Sequence, residues 1–138
     1  MKPIRRIVCA DGADGRSRAI ADGLAPLLPD SSTFIWATDS TPARIDGDPP
    51  RVLAPPRGGS VCRILTLPPD RSRAALVQQT RTLDFCLVLE GEVTLVLDTE
   101  EVELRAGDTV VQRGTRHAWS NRSDASCVIA ISSHDASR

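Results

Sequence analysis

The sequence is poor in histidine and in aromatic residues, and it carries no excess charge of either sign. Its 138 residues include two histidines, no tyrosine and 3% aromatic residues, and the formal net charge is -1. Such a balance creates no long-range field that would attract nucleic acid or an anionic membrane. No apolar run approaches the roughly 18 residues that span a bilayer, and the N-terminus lacks the apolar stretch of a signal peptide. We therefore expect a cytoplasmic protein that binds neither nucleic acid nor membranes.

Cysteine is also scarce, and its spacing excludes the common zinc-binding and redox motifs. The four cysteines are Cys9, Cys62, Cys86 and Cys127, with no CxxC pair and no clustering with histidine. Three of them lie inside apolar, strand-like runs, where a thiol behaves as a small hydrophobic group. The sequence therefore predicts reduced core cysteines rather than a disulfide framework.

The chain divides by composition into an N-terminal arm, a β-rich domain and a short tail. Residues 1–60 are punctuated by Gly, Pro, Asp and Ser; only RRIVCA and STFIWAT are typical of strands, and SRAIADGLAPLL could hold a helical turn. The arm has too few apolar residues to build its own core. The polar residues 133–138 are predicted to form a mobile tail.

Residues 61–132 show the cadence of an all-β protein. Short β-rich segments recur between turn residues: VCRILTL, AALVQQT, DFCLVLE, EVTLVLD, EVELRA, TVVQRG, HAWSN and CVIAIS. This spacing predicts a sandwich or barrel. EGEVTLVLDTEEVELRAGD is typical of a hairpin with one buried face and a tight turn at Thr99–Glu100. Gly91, Gly107 and Gly114 are interpreted as turn residues with positive φ.

A row of polar side chains precedes and enters the segment DFCLVLE. In an extended strand, Gln78, Thr80, Thr82 and Asp84 project to one face. This face lacks Lys and Glu, the long charged residues that mark a solvated surface. It is either the inner wall of a ligand-holding barrel or a polar outer face, and the segment alone favours neither.

The stretch GDTVVQRGTRHAWSN places one of the two histidines beside a tryptophan. His117 can exchange a proton near neutral pH, or it can be a hydrogen-bonded strand residue at a barrel mouth. Trp119 shares its strand face, as a pocket wall or as part of the core. Asn121 is expected to bond backbone groups at the strand end.

Read together, these two stretches resemble the cupin superfamily. Asp84-x6-Gly91 is similar to the end of the first cupin motif, and GDTVVQRGTRHAWSN resembles the second motif with one residue deleted. The resemblance covers about residues 60–131 and is strongest to short single-domain cupins. It implies a double-stranded β-helix, a jelly-roll barrel of two antiparallel sheets, often paired into dimers. It also implies a divalent metal held by two or three histidines and a carboxylate.

The metal-binding motif is degenerate in this chain. Carried over by position, the two histidines of the first motif fall on Gln78 and Thr80 and the glutamate on Asp84; only His117 matches. Gln78, Asp84 and His117 are the candidate metal ligands, for weakly held Zn, Fe or Mn or for no metal at all. Cys86 shares the face of Asp84 and could add a thiolate. The alternative is a metal-free site in which His117 is the catalytic proton donor or acceptor and Asp84 assists it.

The remaining candidates would bind the substrate. Arg63 could grip a carboxylate or phenolate, as could Arg81 and Arg113, and Trp36 could close the barrel or contact a partner subunit. The predicted substrate-binding residues are Gln78, Thr80, Thr82, Arg63, Trp119 and Trp36.

Three classes of function remain open. The resemblance favours a tailoring lyase, isomerase, cyclase or decarboxylase that acts on a small aromatic or polyketide metabolite through His117 and Asp84. A metal-dependent cupin oxygenase or decarboxylase is the second class, and a non-catalytic barrel that binds a small molecule is the third. Edge strands of an open jelly roll favour pairing, so we expect a homodimer.

Overall fold

The structure is a computed structural model that describes residues 2–70 and 77–137. The described residues form ten β-strands and no helix, so they contain no helix that could cross a membrane. The strands are β1 (Arg5–Asp11), β2 (Ser17–Leu24), β3 (Thr33–Thr38), β4 (Ser60–Leu67), β5 (Thr82–Glu90), β6 (Glu92–Val96), β7 (Glu101–Arg105), β8 (Thr109–Arg113), β9 (Ala118–Ser120) and β10 (Cys127–Asp135). The all-β prediction is confirmed.

Two antiparallel sheets form the jelly-roll barrel. One has five strands in the order β3-β4-β10-β5-β8, and the other has three in the order β7-β6-β9. Alternate residues of each sheet point inward and meet in one apolar core. Its buried members are Cys86, Val88, Val93, Leu95, Leu104, Cys127, Ile129 and Ile131.

The hairpin β6–β7 follows from its alternating sequence. Val93 and Leu95 are buried, and Val93 pairs with the buried Leu104 of β7. The Leu97 N–H donates to the carbonyl of Glu100 at 2.9 Å, which leaves Asp98 and Thr99 at the tip of the turn. The turn thus lies one residue earlier than the predicted Thr99–Glu100, because the strands pair through Leu97 and Glu100.

Gly91 is required at the junction of β5 and β6. Its φ is 78°, and a Cβ there would lie 2.7 Å from the carbonyl oxygen of Ser126. Both observations exclude larger residues. Gly107 and Gly114 also have positive φ, so the prediction for all three glycines is confirmed.

The N-terminal arm is more ordered than its composition indicates. β1 and β2 pair as a separate two-stranded hairpin, so the segment SRAIADGLAPLL contains a strand and not a helical turn. β3 pairs with β4 and forms an edge of the five-stranded sheet. The arm also adds a small second core, in which Leu28, Phe34 and Ala37 pack on Val61 of β4. The arm therefore completes this second core with a residue of β4 rather than building it alone.

The C-terminal end corrects the predicted boundary at residue 132. Ser133, His134 and Asp135 belong to β10 and pair with β4 or β5, so the predicted mobile tail at 133–138 begins too early. The His134 ring lies 4.8 Å from that of Phe85, and its Nε2 is 3.0 Å from the Ser132 hydroxyl. Backbone pairing on both sides outweighs the polar composition of this segment.

Two further predictions concern single side chains. The Asn121 amide donates to the carbonyls of Leu67 and Ala125 at 2.8 and 2.9 Å, so its structural role is confirmed. All four cysteines are free, but only Cys86 and Cys127 are buried and Cys9 is exposed. The predicted core position is therefore wrong for Cys9, because β1 lies in the outlying hairpin. Residues 74–76 of the predicted strand AALVQQT lie outside the described residues.

Candidate functional site

A cavity of about 440 Å³ lies against the inner face of the five-stranded sheet. Alternate residues of β4, β5 and β10 form its floor, and Trp119 of β9 borders it. Leu65, Leu67 and Ile131 make part of this wall apolar. The cavity is large enough for a compact organic molecule.

The polar row identified in the sequence faces this cavity. Gln78, Thr80, Thr82 and Asp84 all line it, as the interior interpretation of the pattern requires. The hydroxyls of Thr80 and Thr82 are hydrogen-bonded to each other at 2.8 Å. The pleat of the chain entering β5 thus presents four polar side chains to one enclosed space.

Asp84 is almost fully enclosed within the sheet. On the inner face it lies between Ser133 of β10 and Gln112 of β8, and its exposed fraction is 7%. Its Oδ1 atom has no hydrogen-bond partner among residues 2–70 and 77–137. A buried carboxylate oxygen without a donor is costly, so such a group is expected to find one from a ligand or water.

The backbone of His117 is held by two hydrogen bonds, and its ring by one hydrogen bond and one aromatic contact. Its N–H and C=O bond the backbone of Gln78 at 2.9 and 2.8 Å, which joins two segments far apart in the chain. The side chain is 5% exposed, and Nδ1 lies 2.8 Å from the carbonyl oxygen of Thr115. Since a carbonyl can only accept, Nδ1 carries the proton and Nε2 keeps its lone pair in the neutral ring. The Trp119 ring packs edge-on at 5.9 Å.

Gln112 connects these two groups, and the sequence did not single it out. The Thr115 hydroxyl donates to Gln112 Oε1, while the Thr115 carbonyl holds His117. Gln112 Nε2 has no partner among the described residues, and the side chain neighbours Asp84 across β5 and β8. Gln112 Nε2 and Asp84 Oδ1 are thus two buried polar atoms without a partner among the described residues, on neighbouring positions of one face.

Arg63 also lines the cavity, but it is partly engaged by the arm. Its Nη1 donates to Asp30 Oδ2 at 2.8 Å and lies 3.3 Å from the Ser32 hydroxyl. Its Nε is buried and has no partner within the described ranges. Burial acts to raise the pKa of Asp30, but hydrogen bonds from Ser32 and the charge of Arg63 lower it overall.

The other predicted binding residues lie elsewhere. Trp36 is not part of this cavity: it borders a shallow depression on the arm, with the Arg6 guanidinium 5.7 Å from its ring. The substrate-binding role predicted for Trp36 does not fit this position, since β3 is an edge strand on the far side of β4. Arg81 and Arg113 border a second depression, separated from the main cavity by Thr82.

The arm contributes wall residues that the sequence did not indicate. Asp30, Leu53, Ala54 and Pro55 line the cavity, so the arm covers part of its opening. Asp70, three residues after the end of β4, also lines it, and its Oδ1 has no partner among the described residues. No periodicity marks these positions, because loops are placed by tertiary packing.

The donor set does not fit a tightly held first-row metal. Within residues 2–70 and 77–137, no three His, Cys, Asp or Glu side chains are grouped as a metal site would need. Besides Asp84 and His117, the predicted set offers only the neutral amide oxygen of Gln78, a weak ligand for such ions. Burial, and then the charge of Asp84, raise the pKa of the Cys86 thiol to about 12. This shift disfavours the thiolate that Cys86 could have added to the set.

Several relatives align with the β-rich part of this chain. Phomopsin biosynthesis cluster protein D of Diaporthe leptostromiformis is 46% identical over 76 residues, covering 54% of this chain and 38% of that protein. A cupin-domain-containing oxidoreductase of Hypocrea virens is 35% identical over 98 residues, covering 65% of this chain and 50% of that protein. The chain thus spans half or less of the length of these relatives.

A solved structure and a family model agree on the fold. The putative ethanolamine utilization protein Q of Salmonella typhimurium superposes with a TM-score of 0.53 at 12% identity, covering 99% of this chain and 100% of that one. The model of the cupin domain family, Cupin_2, matches residues 63–133, just over half of the chain. The chain therefore belongs to the cupin family, as its two motifs indicated.

Proposed function

We propose that this protein is a small-molecule cupin enzyme that transfers protons through His117, assisted by Asp84. The observation that carries the proposal is the cavity that these two residues share with Gln78, Thr80 and Thr82. Relatives named for the phomopsin biosynthesis cluster support a tailoring role in secondary metabolism. The reaction that we propose is that of a lyase, isomerase, cyclase or decarboxylase.

His117 is suited to act as the base. The Thr115 carbonyl fixes the tautomer in which Nε2 is free to accept a proton. Removing a proton from a carbon beside a carbonyl leaves the C–H electron pair in an enolate, and the imidazolium can return the proton at the same or another carbon. The same imidazolium can protonate the carbanion left by a decarboxylation.

Asp84 would stabilise the charged form of that imidazole. A carboxylate within the same partly enclosed cavity favours a positive charge on His117 once the proton has moved. Gln112 would fix the positions of His117 and Asp84 relative to each other, since it bonds the Thr115 side chain and pairs with Asp84 across β5 and β8. Asp84 thus lies within β5, and His117 lies just before β9, where its bridge to Gln78 holds the backbone.

The rest of the wall would bind and orient the substrate. Gln78, Thr80 and Thr82 offer hydrogen bonds along one side, and the Arg63 side chain lies in the same wall. Trp119 supplies an aromatic surface next to His117. A polar row facing an apolar wall suits a compact aromatic molecule with a few polar substituents.

A metal-dependent oxidoreductase is the second candidate, because a relative is named as a cupin-domain-containing oxidoreductase. A bound divalent ion would rely on His117, Asp84 and Gln78 and would act as a Lewis acid or redox centre. Elemental analysis of the purified protein separates the candidates. Near-stoichiometric iron, zinc or manganese favours the metalloenzyme, whereas substoichiometric metal with full turnover favours proton transfer by the side chains.

His117→Ala separates an enzyme from a binding module. Loss of a general base lowers turnover by about 10²–10⁴-fold, while the circular dichroism spectrum should stay that of the wild type. Normal turnover by this variant would remove His117 from the mechanism. Ligand binding without turnover by the wild-type protein would favour a barrel that only holds its ligand.

We further propose a homodimer formed through the outer face of β5 and β8. The outward residues Phe85, Leu87, Leu89 and Val111 are 49%, 39%, 41% and 60% exposed, where an outer face is ordinarily polar. β8 is an edge strand of the five-stranded sheet, so the apolar stripe continues into a backbone edge that pairs with no other described strand. A second copy would cover both features at once.

A further inference from the structure

The charges on the cavity wall do not balance. Among residues 2–70 and 77–137, four charged side chains line it: Asp30, Arg63, Asp70 and Asp84. Asp30 and Arg63 neutralise each other through an ion pair of 2.8 Å. Asp70 and Asp84 form no ion pair with another wall residue that the structure describes, and the Oδ1 atom of each has no hydrogen-bond partner there. Asp70 lies within the electrostatic influence of Arg122, outside the cavity, so Asp84 is the carboxylate that lacks an opposite charge among the described residues.

The position of Asp84 makes this imbalance costly. The side chain is more than nine-tenths buried, so water cannot fully solvate its charge. Even if Gln112 Nε2 turns to donate to Oδ1, that bond supplies a neutral donor and leaves the negative charge of the carboxylate uncompensated. A partly enclosed cavity of one sign concentrates the field on whatever enters it.

The resemblance to cupins implies that a metal would ordinarily supply positive charge in such a barrel, but Gln78 and Thr80 stand where the first motif has histidines. We propose that the ligand brings the charge instead: the cavity binds a small molecule with a protonated amine, whose N–H groups donate to Asp84. The inference rests on the proposed function only in using the same cavity, and it adds the chemical class of the substrate.

The remaining wall residues fit such a ligand. Leu65, Leu67 and Trp119 provide an apolar surface for a hydrocarbon or aromatic body. The hydroxyls of Thr80 and Thr82 can accept from the amine as well as from each other. A carboxylate ligand would meet Asp70 and Asp84 and would have to compete with Asp30 for Arg63.

Three probes of one shape and different charge test the proposal at neutral pH: benzylammonium, benzyl alcohol and benzoate. The chain has two tryptophans, so Trp36→Phe leaves Trp119, at the cavity, as the fluorescence reporter. We expect benzylammonium to bind about ten-fold or more tightly than benzyl alcohol, as one charge-assisted hydrogen bond allows. Benzoate should bind more weakly than either.

Asp84→Asn should remove this preference, since the amide keeps the shape and loses the charge. Glu100→Gln is the matched control: it removes one carboxylate from the exposed turn between β6 and β7 and should leave the preference intact. Equal affinity for the amine and the alcohol, tightest binding of benzoate, no binding of the amine, or an unchanged preference in Asp84→Asn would overturn the proposal. So would displacement of the amine by equimolar Zn²⁺ or Mn²⁺.

A failure of the amine site can be distinguished from a failure of the proposed proton transfer. His117→Ala should still prefer benzylammonium, because binding requires the carboxylate rather than the imidazole. If this variant keeps the preference but also keeps full turnover, proton transfer by His117 fails and the amine site stands. If turnover depends on His117 but the preference is absent, the amine site fails alone.

Discussion

At the scale of single residues, the proposed site depends on the contacts that hold the side chains of His117 and Asp84 in place. His117 is fixed by the Thr115 carbonyl, and the Thr115 hydroxyl in turn bonds Gln112. Gln112 is 3% exposed and lies opposite Asp84. One amide side chain therefore bonds the residue that holds His117 and lies opposite Asp84, and we propose that it is a positioning residue.

Gln112→Leu tests this positioning role. The change removes the acceptor of the Thr115 hydroxyl, so we expect about a ten-fold loss of kcat with little change in KM and a cost of about 1–2 kcal/mol in unfolding free energy. Steady-state kinetics and urea unfolding measure the two effects. Gln79→Leu is the control, since Gln79 is exposed and makes one long hydrogen bond of 3.4 Å to Gly114. A loss of stability with unchanged kcat would make Gln112 purely structural.

The sequence predicts the row of polar side chains on one face of the chain entering β5, but it does not predict the role of Gln112 beside that row. Gln78, Thr80, Thr82 and Asp84 follow a period of two and match the positions of a cupin motif, so pattern and resemblance agree. Gln112 lies in TVVQRG, where a single polar residue in a β-branched run says nothing about its partners. Its role arises from strand pairing between β5 and β8, which joins residues almost thirty positions apart.

At the scale of elements, the arm is attached to the barrel by strand pairing and by an ion pair, among other contacts. β3 continues the five-stranded sheet, and the ion pair of Asp30 with Arg63 ties the preceding loop to β4. Composition concealed this attachment, because the arm is rich in Pro, Gly and Asp. The three buried apolar residues of the arm form a cluster only together with Val61 of β4.

The pH dependence of stability reports the Asp30 contact. The folded-state pKa of Asp30 lies below its ordinary value of 3.8, so its contribution is present above that value and is lost as the pH falls through the folded pKa. Asp30→Asn should therefore lower the unfolding midpoint at neutral pH, and its difference from the wild type should shrink in acid. Thermal unfolding across pH measures this. A difference that does not depend on pH would contradict the ionic origin of the contact.

Gly59, the residue before β4, shows how closely β3 approaches the chain that enters β4. A Cβ at this position would lie 1.9 Å from the carbonyl oxygen of Thr38, at the end of β3. Gly59→Ala should therefore displace β3 from β4 and cost about 2 kcal/mol or more, the upper part of the usual range for overpacking. Differential scanning calorimetry would show this as a lowered Tm.

Gly23→Ala is the matched control for that change. No atom lies within 4 Å of a Cβ built on Gly23, and its φ is not positive. The same substitution there should leave the Tm close to that of the wild type. Equal Tm values for the two variants would show that the approach of β3 to β4 is not close enough to exclude a methyl group.

At the scale of the whole molecule, the outer face of β5 and β8 is the feature that a single copy leaves unexplained. Its alternating Phe, Leu and Leu could be read from DFCLVLE as one side of a strand buried on both faces. The structure places that side outward, because the core occupies only the inner face. Sequence pattern predicts that both sides are apolar, but not what covers the outer one.

Val111→Arg tests the proposed dimer. A charge in the centre of the apolar stripe should convert the dimer to a monomer, which sedimentation velocity would show as a lower sedimentation coefficient with an unchanged circular dichroism spectrum. Ile45→Arg is the control, since Ile45 is 95% exposed and lies in the arm, outside the stripe. A monomeric wild-type protein, or a dimer that survives Val111→Arg, would contradict the proposed interface.

Isotope exchange tests most directly whether the His117 imidazole, assisted by the Asp84 carboxylate, transfers protons in the cavity. In D₂O, the wild-type protein should speed the replacement of C–H by C–D beside the carbonyl of small aromatic ketones that bear an amine, followed by proton NMR. His117→Gln should lose this acceleration by about 10²-fold or more, as expected for removal of a general base. Exchange that proceeds equally fast in His117→Gln would contradict the account.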